Sequence, residues 1–123
     1  MSLAQIGQAL IIIVLTLISG LADAQGAVHA AKIWQDGNLV WEELGKSALG
    51  FGIGISVYWI VLRFMTELGI VAPEIQAAMW FGVMMIGVAL ISGAFFKWRL
   101  TEQVVAIVVL LGIGWLSFRT AAA

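Results

Sequence analysis

Long stretches without a charged side chain alternate with short polar connectors along the chain. Four such stretches occur, at residues 1–22, 47–62, 75–96 and 103–118. A helix needs about 20 apolar residues to cross the hydrocarbon core of a bilayer, and its backbone groups must form their hydrogen bonds within the segment. The pattern therefore predicts transmembrane helices near residues 5–32, 45–65, 75–96 and 102–119.

The composition supports a membrane location for the whole chain. Of the 123 residues, 63% are hydrophobic and 11% are charged, whereas soluble domains carry roughly 25% charged residues. We expect residues 1–123 to form a single all-α integral membrane domain, a four-helix bundle in the lipid bilayer. The expected location is the cell membrane, as a multi-pass protein. A formal net charge of −1 without a basic run argues against a nucleic-acid partner.

The role of Asp23 depends on its depth in the membrane. If the first helix begins at Met1, Asp23 falls at its end and is interfacial. If the span runs from about Leu10 to Ala30, the carboxylate lies inside the bilayer. There an ionisable group costs about 2.5–3.5 kcal/mol on insertion scales and marks a functional site. Cleavage of a signal peptide near Ala22–Ala24 is a third interpretation, which the lack of a basic N-terminal region disfavours.

The sequence contains no other recognisable reactive grouping. The absence of cysteine excludes thiolate chemistry and cysteine-ligated metals. There is no Ser/His/Asp set, no pair of carboxylates on one membrane-embedded helical face, and no phosphate-binding loop. We therefore predict a protein that is not an enzyme and has no catalytic residue, metal site or cofactor. His29, the single histidine, is expected at the membrane interface.

Small residues recur along the predicted helices. In a membrane they let helix backbones approach closely, which supports association without a hydrophobic driving force. We predict helix packing at five glycines: Gly82, Gly87, Gly93, Gly112 and Gly114. Because four helices are too few to enclose a transport path, the chain is expected to form a homodimer or to pair with a similar small subunit.

Several segments resemble a known family. Ala78–Val83 and Ile86–Ala89 are similar to the third helix of the small multidrug resistance transporters, in the drug/metabolite transporter superfamily, whose signature is A-x-W-x-G-[IV]. Phe95–Leu100 resembles the family's turn into helix four, and Gly114 falls at a packing glycine of that helix. Lys32–Trp41 resembles the end of helix one and the first connector. The chain thus resembles a divergent member of this family.

The resemblance implies a dimeric transporter that works by alternating access. Family members use a glutamate in helix one, where a proton and a cationic substrate compete. Here the gapless register puts Ala24 at that position and Asp23 one residue before it, and Ala77 replaces a tyrosine that precedes the tryptophan signature. The implied site for a small substrate is Asp23 with Trp80 and Tyr58 as aromatic walls, which attract a cation by charge and by their π-faces.

The sequence also leaves a second function open. The same superfamily includes four-helix subunits that resemble flippases for lipid-linked sugars and lack the helix-one glutamate. On this interpretation the chain is a non-catalytic small membrane subunit, either a flippase half or a structural component of a larger membrane complex. The two interpretations differ at Asp23, because the transporter needs this carboxylate within the bilayer and the subunit does not.

Overall fold

The computed structural model describes residues 2–122 as a set of helices joined by short connectors. In chain order the elements are α1 (Leu3–Ala30), β1 (Trp34–Gln35), β2 (Asn38–Leu39), α2 (Trp41–Glu67), α3 (Pro73–Ile91), α4 (Ala94–Lys97) and α5 (Leu100–Ala122). The predicted all-α class is confirmed, since the two strands contain only two residues each. Each predicted helix overlaps one of the long helices α1, α2, α3 and α5.

The connector between α1 and α2 is a β-hairpin. Its strands pair antiparallel, with Trp34 opposite Leu39. The two turn residues, Asp36 and Gly37, have φ angles of 52° and 77°. Two consecutive positive φ angles are typical of a type I′ hairpin turn, for which Asp-Gly is a favoured sequence. The hairpin reverses the chain so that α2 runs antiparallel to α1.

α3 is shorter than the helix that the sequence predicts. It begins at Pro73, where a residue without an N–H suits the first helical turn, but it ends at Ile91 instead of residue 96. Gly93 has φ +77° and separates α3 from the short α4. A left-handed residue ends a helix, and glycine adopts this conformation without steric cost. The single helix predicted over 75–96 is therefore two helices, separated at a position that carries no charge.

The packing of the bundle is that of a membrane protein. α1 packs against both α2 and α3, and α5 packs against α3. Large apolar side chains cover the outer surface. Among the side chains that the structure describes, the buried polar and charged ones are Thr16, Ser19, Asp23 and Ser47. Apolar side chains on the surface suit contact with lipid tails, and small polar ones suit helix–helix interfaces. Within residues 2–122, α1, α2 and α3 are long and apolar enough to cross a membrane, and α5 contains a shorter apolar stretch, Leu100–Leu116.

Candidate functional site

One face of α1 combines small residues with polar side chains. Its buried residues are Ile12, Thr16, Ser19, Gly20, Asp23, Ala24 and Gly26. Most of them follow one another at intervals of three or four, which places them on one side of a helix. This side packs against α2 and α3. The buried polar side chains of α1, those of Thr16, Ser19 and Asp23, therefore lie inside the bundle.

The Asp23 carboxylate is fully buried between α1 and α2. Its exposed fraction is 0%, and neither carboxylate oxygen has a hydrogen-bond partner among the described residues. Both oxygens lie against Gly54, in the space that a Cβ atom at that position would occupy. Gly54 is the central residue of α2. The carboxylate is therefore level with the middle of a helix that is long enough to cross a membrane.

Polar contacts mark the two ends of the α1–α2 interface. At one end the Gln8 amide donates to the Glu67 carboxylate at 2.9 Å. At the other end His29 Nδ1 lies 2.6 Å from Glu43 Oε2. Charged and amide groups belong at the membrane surface, where water and headgroups solvate them. Asp23 therefore lies between the two polar ends of this interface.

Ser19 connects the three helices that surround Asp23. Its hydroxyl donates to the Gly54 carbonyl oxygen at 2.7 Å and accepts from the Trp80 indole N–H at 3.2 Å. Ser19 is itself fully buried, so water does not compete for these bonds. The Trp80 indole thus contacts α1 at Ser19, one helical turn from Asp23.

Two aromatic residues, Trp80 and Tyr58, form a wall beside this polar group. Their ring centroids are 5.3 Å apart with the planes tilted by 40°, and Phe81 packs edge-on against Trp80 at 4.7 Å. Because the π-face of such rings attracts cations, this aromatic wall (Trp80 and Tyr58) is suited to a positively charged ligand. The structure thus places Trp80 and Tyr58, both named in the sequence prediction, in contact with each other, and Trp80 reaches Ser19, one helical turn from Asp23.

The backbones of α1 and α2 come into contact about one helical turn beyond Asp23. A Cβ atom added to Gly50 would lie 2.6 Å from the Gly26 nitrogen and 2.8 Å from the Ala22 carbonyl oxygen. Next to it, the Ser47 hydroxyl donates to the Gly26 carbonyl oxygen at 2.8 Å. The two backbones therefore touch here, and the interface has no room for a side chain at Gly50.

Two of the predicted packing glycines lie at helix contacts. A Cβ atom added to Gly82 would lie 3.2 Å from a Leu110 methyl group of α5. One added to Gly87 would lie 3.0 Å from the Ala24 Cβ atom of α1. α3 therefore uses Gly82 to approach α5 and Gly87 to approach α1.

The other three predicted packing glycines make no such contact within the chain. Gly93 lies between α3 and α4, where its positive φ explains the glycine; its role is conformational and not the helix packing that was predicted. Gly112 and Gly114 on α5 have no described atom within 4 Å of an added Cβ atom. Within the described residues, these two glycines therefore do not pack against another helix.

Comparison with known proteins adds no family assignment. No protein-family model, curated protein or solved structure matches the chain. Fold and site together define the class of protein: an all-α bundle, with three helices in its described part that are long and apolar enough to cross a membrane, and a buried carboxylate between them.

Proposed function

We propose that the chain is a small transporter of the cell membrane, similar to the small multidrug resistance exporters, which moves a small organic cation by alternating access of a dimer. The observation that carries this proposal is the Asp23 carboxylate. It is fully buried, has no hydrogen-bond partner among the described residues and lies next to an aromatic wall.

The energetic cost of Asp23 supports a functional role. An ionised carboxylate that is removed from water without a partner is so unfavourable that it takes up a proton or acquires a cation. Ionisable residues inside membranes mark substrate and proton pathways. We infer that the carboxylate alternates between a bound proton and a bound cation.

Four spans are proposed, with α5 as the fourth. Its apolar stretch, Leu100–Leu116, is near the lower limit of about 17 residues for a spanning helix. Arg119 follows it and is exposed, so its long side chain can extend to the headgroups. With four spans, both ends of the chain lie on the same side of the membrane.

Dimerisation through α5 leads to a testable prediction. Gly112 and Gly114 leave open space beside α5, and small residues of this kind allow a second helix to pack closely. Gly112→Leu is expected to raise the dissociation constant of the dimer by about tenfold or more. A tenfold rise corresponds to a loss of about 1.4 kcal/mol in the free energy of association. Sedimentation in detergent measures this, with Gly7→Leu as the control at another open glycine. A parent protein that sediments as a monomer contradicts the prediction.

The pH dependence of cation binding tests the proposed function directly. Protonation removes the charge that attracts the cation, so binding is expected to weaken as the pH falls. Below the pH at which the carboxylate takes up its proton, the dissociation constant of tetraethylammonium should rise by about tenfold for each further decrease of one pH unit, because one proton displaces one cation. The fluorescence of a variant that keeps Trp80 as its single tryptophan reports the binding. Affinity that stays constant between about pH 5 and about pH 9 contradicts the exchange mechanism.

One observation favours the second candidate function, a non-catalytic membrane subunit. A groove of about 550 Å³ lies between α3 and α5, with Asp23 absent from its lining. Its walls are mostly apolar and include Phe81, Met85, Trp98 and Leu110. A helix of a partner subunit, whether in a flippase half or in a larger complex, can pack into such a surface. Loss of cation binding on changing Asp23 is the result that separates the two candidates.

A further inference from the structure

The groove between α3 and α5, called here the α3–α5 groove, has a polar end and a long apolar part. Its volume is about 550 Å³, and Trp98, Thr101 and Glu102 line the end where the connector joins the two helices. The other lining residues are apolar or glycine and lie within residues 78–86 of α3 and residues 105–113 of α5. A molecule that matches both parts has a polar head and a long apolar tail.

The α3–α5 groove faces away from the rest of the bundle. α5 packs against α3, and no residue of α1 or α2 lines the groove. Side chains on both walls are exposed by half or more, among them Phe81 at 50%, Met85 at 67% and Val109 at 53%. The floor is closed, because a Cβ atom added to Gly82 would lie 3.2 Å from a Leu110 methyl group. With α5 as the fourth span, the groove therefore opens toward lipid.

The width of the α3–α5 groove suits an alkyl chain and not a helix. Glu102 and Ile113 are about three turns apart on α5, which corresponds to about 16 Å along the helix axis. Spread over that length, the volume of about 550 Å³ gives a mean cross-section of about 30 Å². A helix with its side chains is about 10–12 Å across and needs about 80 Å² or more. A partner helix can cover the groove but cannot fill it, whereas acyl chains fit within it.

Charges of both signs meet at the polar end of the groove. Glu102 is exposed, and its Oε2 atom accepts the Arg99 backbone N–H at 2.7 Å. Lys97 and Arg99, the neighbours of Trp98 in the chain, are exposed, and neither side chain takes part in an ion pair within the described residues. A purely cationic headgroup is repelled by the two basic side chains, and a purely anionic one by the carboxylate. A headgroup with a phosphate and an ammonium matches both signs.

We propose that the α3–α5 groove is a binding site for a zwitterionic membrane lipid, phosphatidylethanolamine. The acyl chains lie along the apolar walls, the phosphate lies near Lys97 and Arg99, and the ammonium group pairs with Glu102. Trp98 borders the headgroup, at the depth where tryptophan is enriched in membrane proteins. The site goes beyond the proposed transport function: it rests on α5 as the fourth span and does not involve Asp23.

A substitution that fills the groove tests the position of the lipid. Ala106 lines the groove, so Ala106→Phe places a ring where an acyl chain would lie. Native mass spectrometry of the full chain in detergent, with added phosphatidylethanolamine, measures the dissociation constant, which should rise by about tenfold or more, as overfilling of a packed site does. Val108→Phe is the matched control, because Val108 is 59% exposed on α5 and is absent from the lining. Circular dichroism checks that both variants are folded.

A competition between two lipids with the same acyl chains tests the headgroup. The parent is expected to prefer phosphatidylethanolamine over phosphatidylglycerol by about fivefold, the upper range for an exposed ion pair. Glu102→Gln should remove this preference, because glutamine accepts the Arg99 N–H as glutamate does but carries no charge. Changing Lys97 and Arg99 together to glutamine should weaken both lipids equally, because both contain the phosphate.

Each outcome either supports the site or overturns it. If Ala106→Phe binds the lipid as tightly as Val108→Phe does, the lipid lies elsewhere on the surface and the assignment is wrong. A parent without a headgroup preference, or a preference that survives Glu102→Gln, refutes the zwitterion site. A parent that binds no lipid indicates that a second copy or a partner subunit covers the groove. Asp23→Asn should bind the lipid like the parent, so failure of the transporter proposal and failure of the lipid site are separate results.

Discussion

Gly50→Ala is expected to separate α1 from α2 and to destabilise the folded bundle by about 3 kcal/mol or more. The added Cβ atom would lie 2.6 Å from the Gly26 nitrogen and 2.8 Å from the Ala22 carbonyl oxygen. Both neighbours are backbone atoms of α1, which cannot move away as a flexible side chain can, so the helices must shift and lose their interface. The Ser47 hydrogen bond to Gly26, at 2.8 Å, is expected to break as well.

Gly52→Ala is the matched control for this substitution. Gly52 lies on the same helix two residues away, and no described atom is within 4 Å of a Cβ atom added there. Alanine is the better helix former by about 1 kcal/mol, so this variant should be as stable as the parent or slightly more stable. Unfolding in detergent by sodium dodecyl sulfate, followed by circular dichroism, measures both. Equal stability of the two variants would show that α1 and α2 do not cross at Gly50.

Asp23→Asn is expected to have the largest functional effect, a loss of at least about 100-fold in affinity for tetraethylammonium. The substitution keeps the size and polarity of the side chain and removes the charge that attracts a cation. A close charge pair inside a low-dielectric interior contributes several kcal/mol, which corresponds to two or more powers of ten. The fold should be retained, because a neutral amide is less costly than a carboxylate between membrane helices.

Asp36→Asn makes the same chemical change where no ligand is expected. Asp36 is exposed in the hairpin turn, and asparagine tolerates its positive φ of 52°. Cation affinity should be the same as in the parent. If Asp23→Asn binds tetraethylammonium as tightly as Asp36→Asn does, the transporter proposal fails, and the non-catalytic subunit becomes the better account of the chain.

The helices were predictable because hydropathy is a property of consecutive residues. Charge-free stretches located α1, α2, α3 and α5, and Pro73 falls at the first turn of α3. The hairpin was predictable in principle from Asp36-Gly37, a dipeptide that favours a type I′ turn, but its strands are too short to show an alternating pattern. The break at Gly93 could not be predicted in this way, because a left-handed glycine does not change the hydropathy of the segment.

The candidate site was predictable only in part. Asp23 stood out as a lone carboxylate late in an uncharged segment, and Trp80 and Tyr58 entered through the family resemblance. The sequence gives no signal at Thr16, because a threonine in a membrane helix ordinarily bonds to its own backbone. The three-to-four-residue spacing of Thr16, Ser19 and Asp23 could have identified the shared face.

The sequence by itself determined where the four long helices lie and which side chains are ionisable. Only the tertiary structure decided what surrounds Asp23, because the neighbours of this side chain depend on the register of α1 along α2. Two contacts fix that register. The backbones touch at Gly26 and Gly50, and the Asp23 carboxylate occupies the space that a side chain at Gly54 would fill. Such contacts join residues that are far apart in the chain. Their geometry follows from three-dimensional packing, which cannot be inferred from the order of residues along one helix.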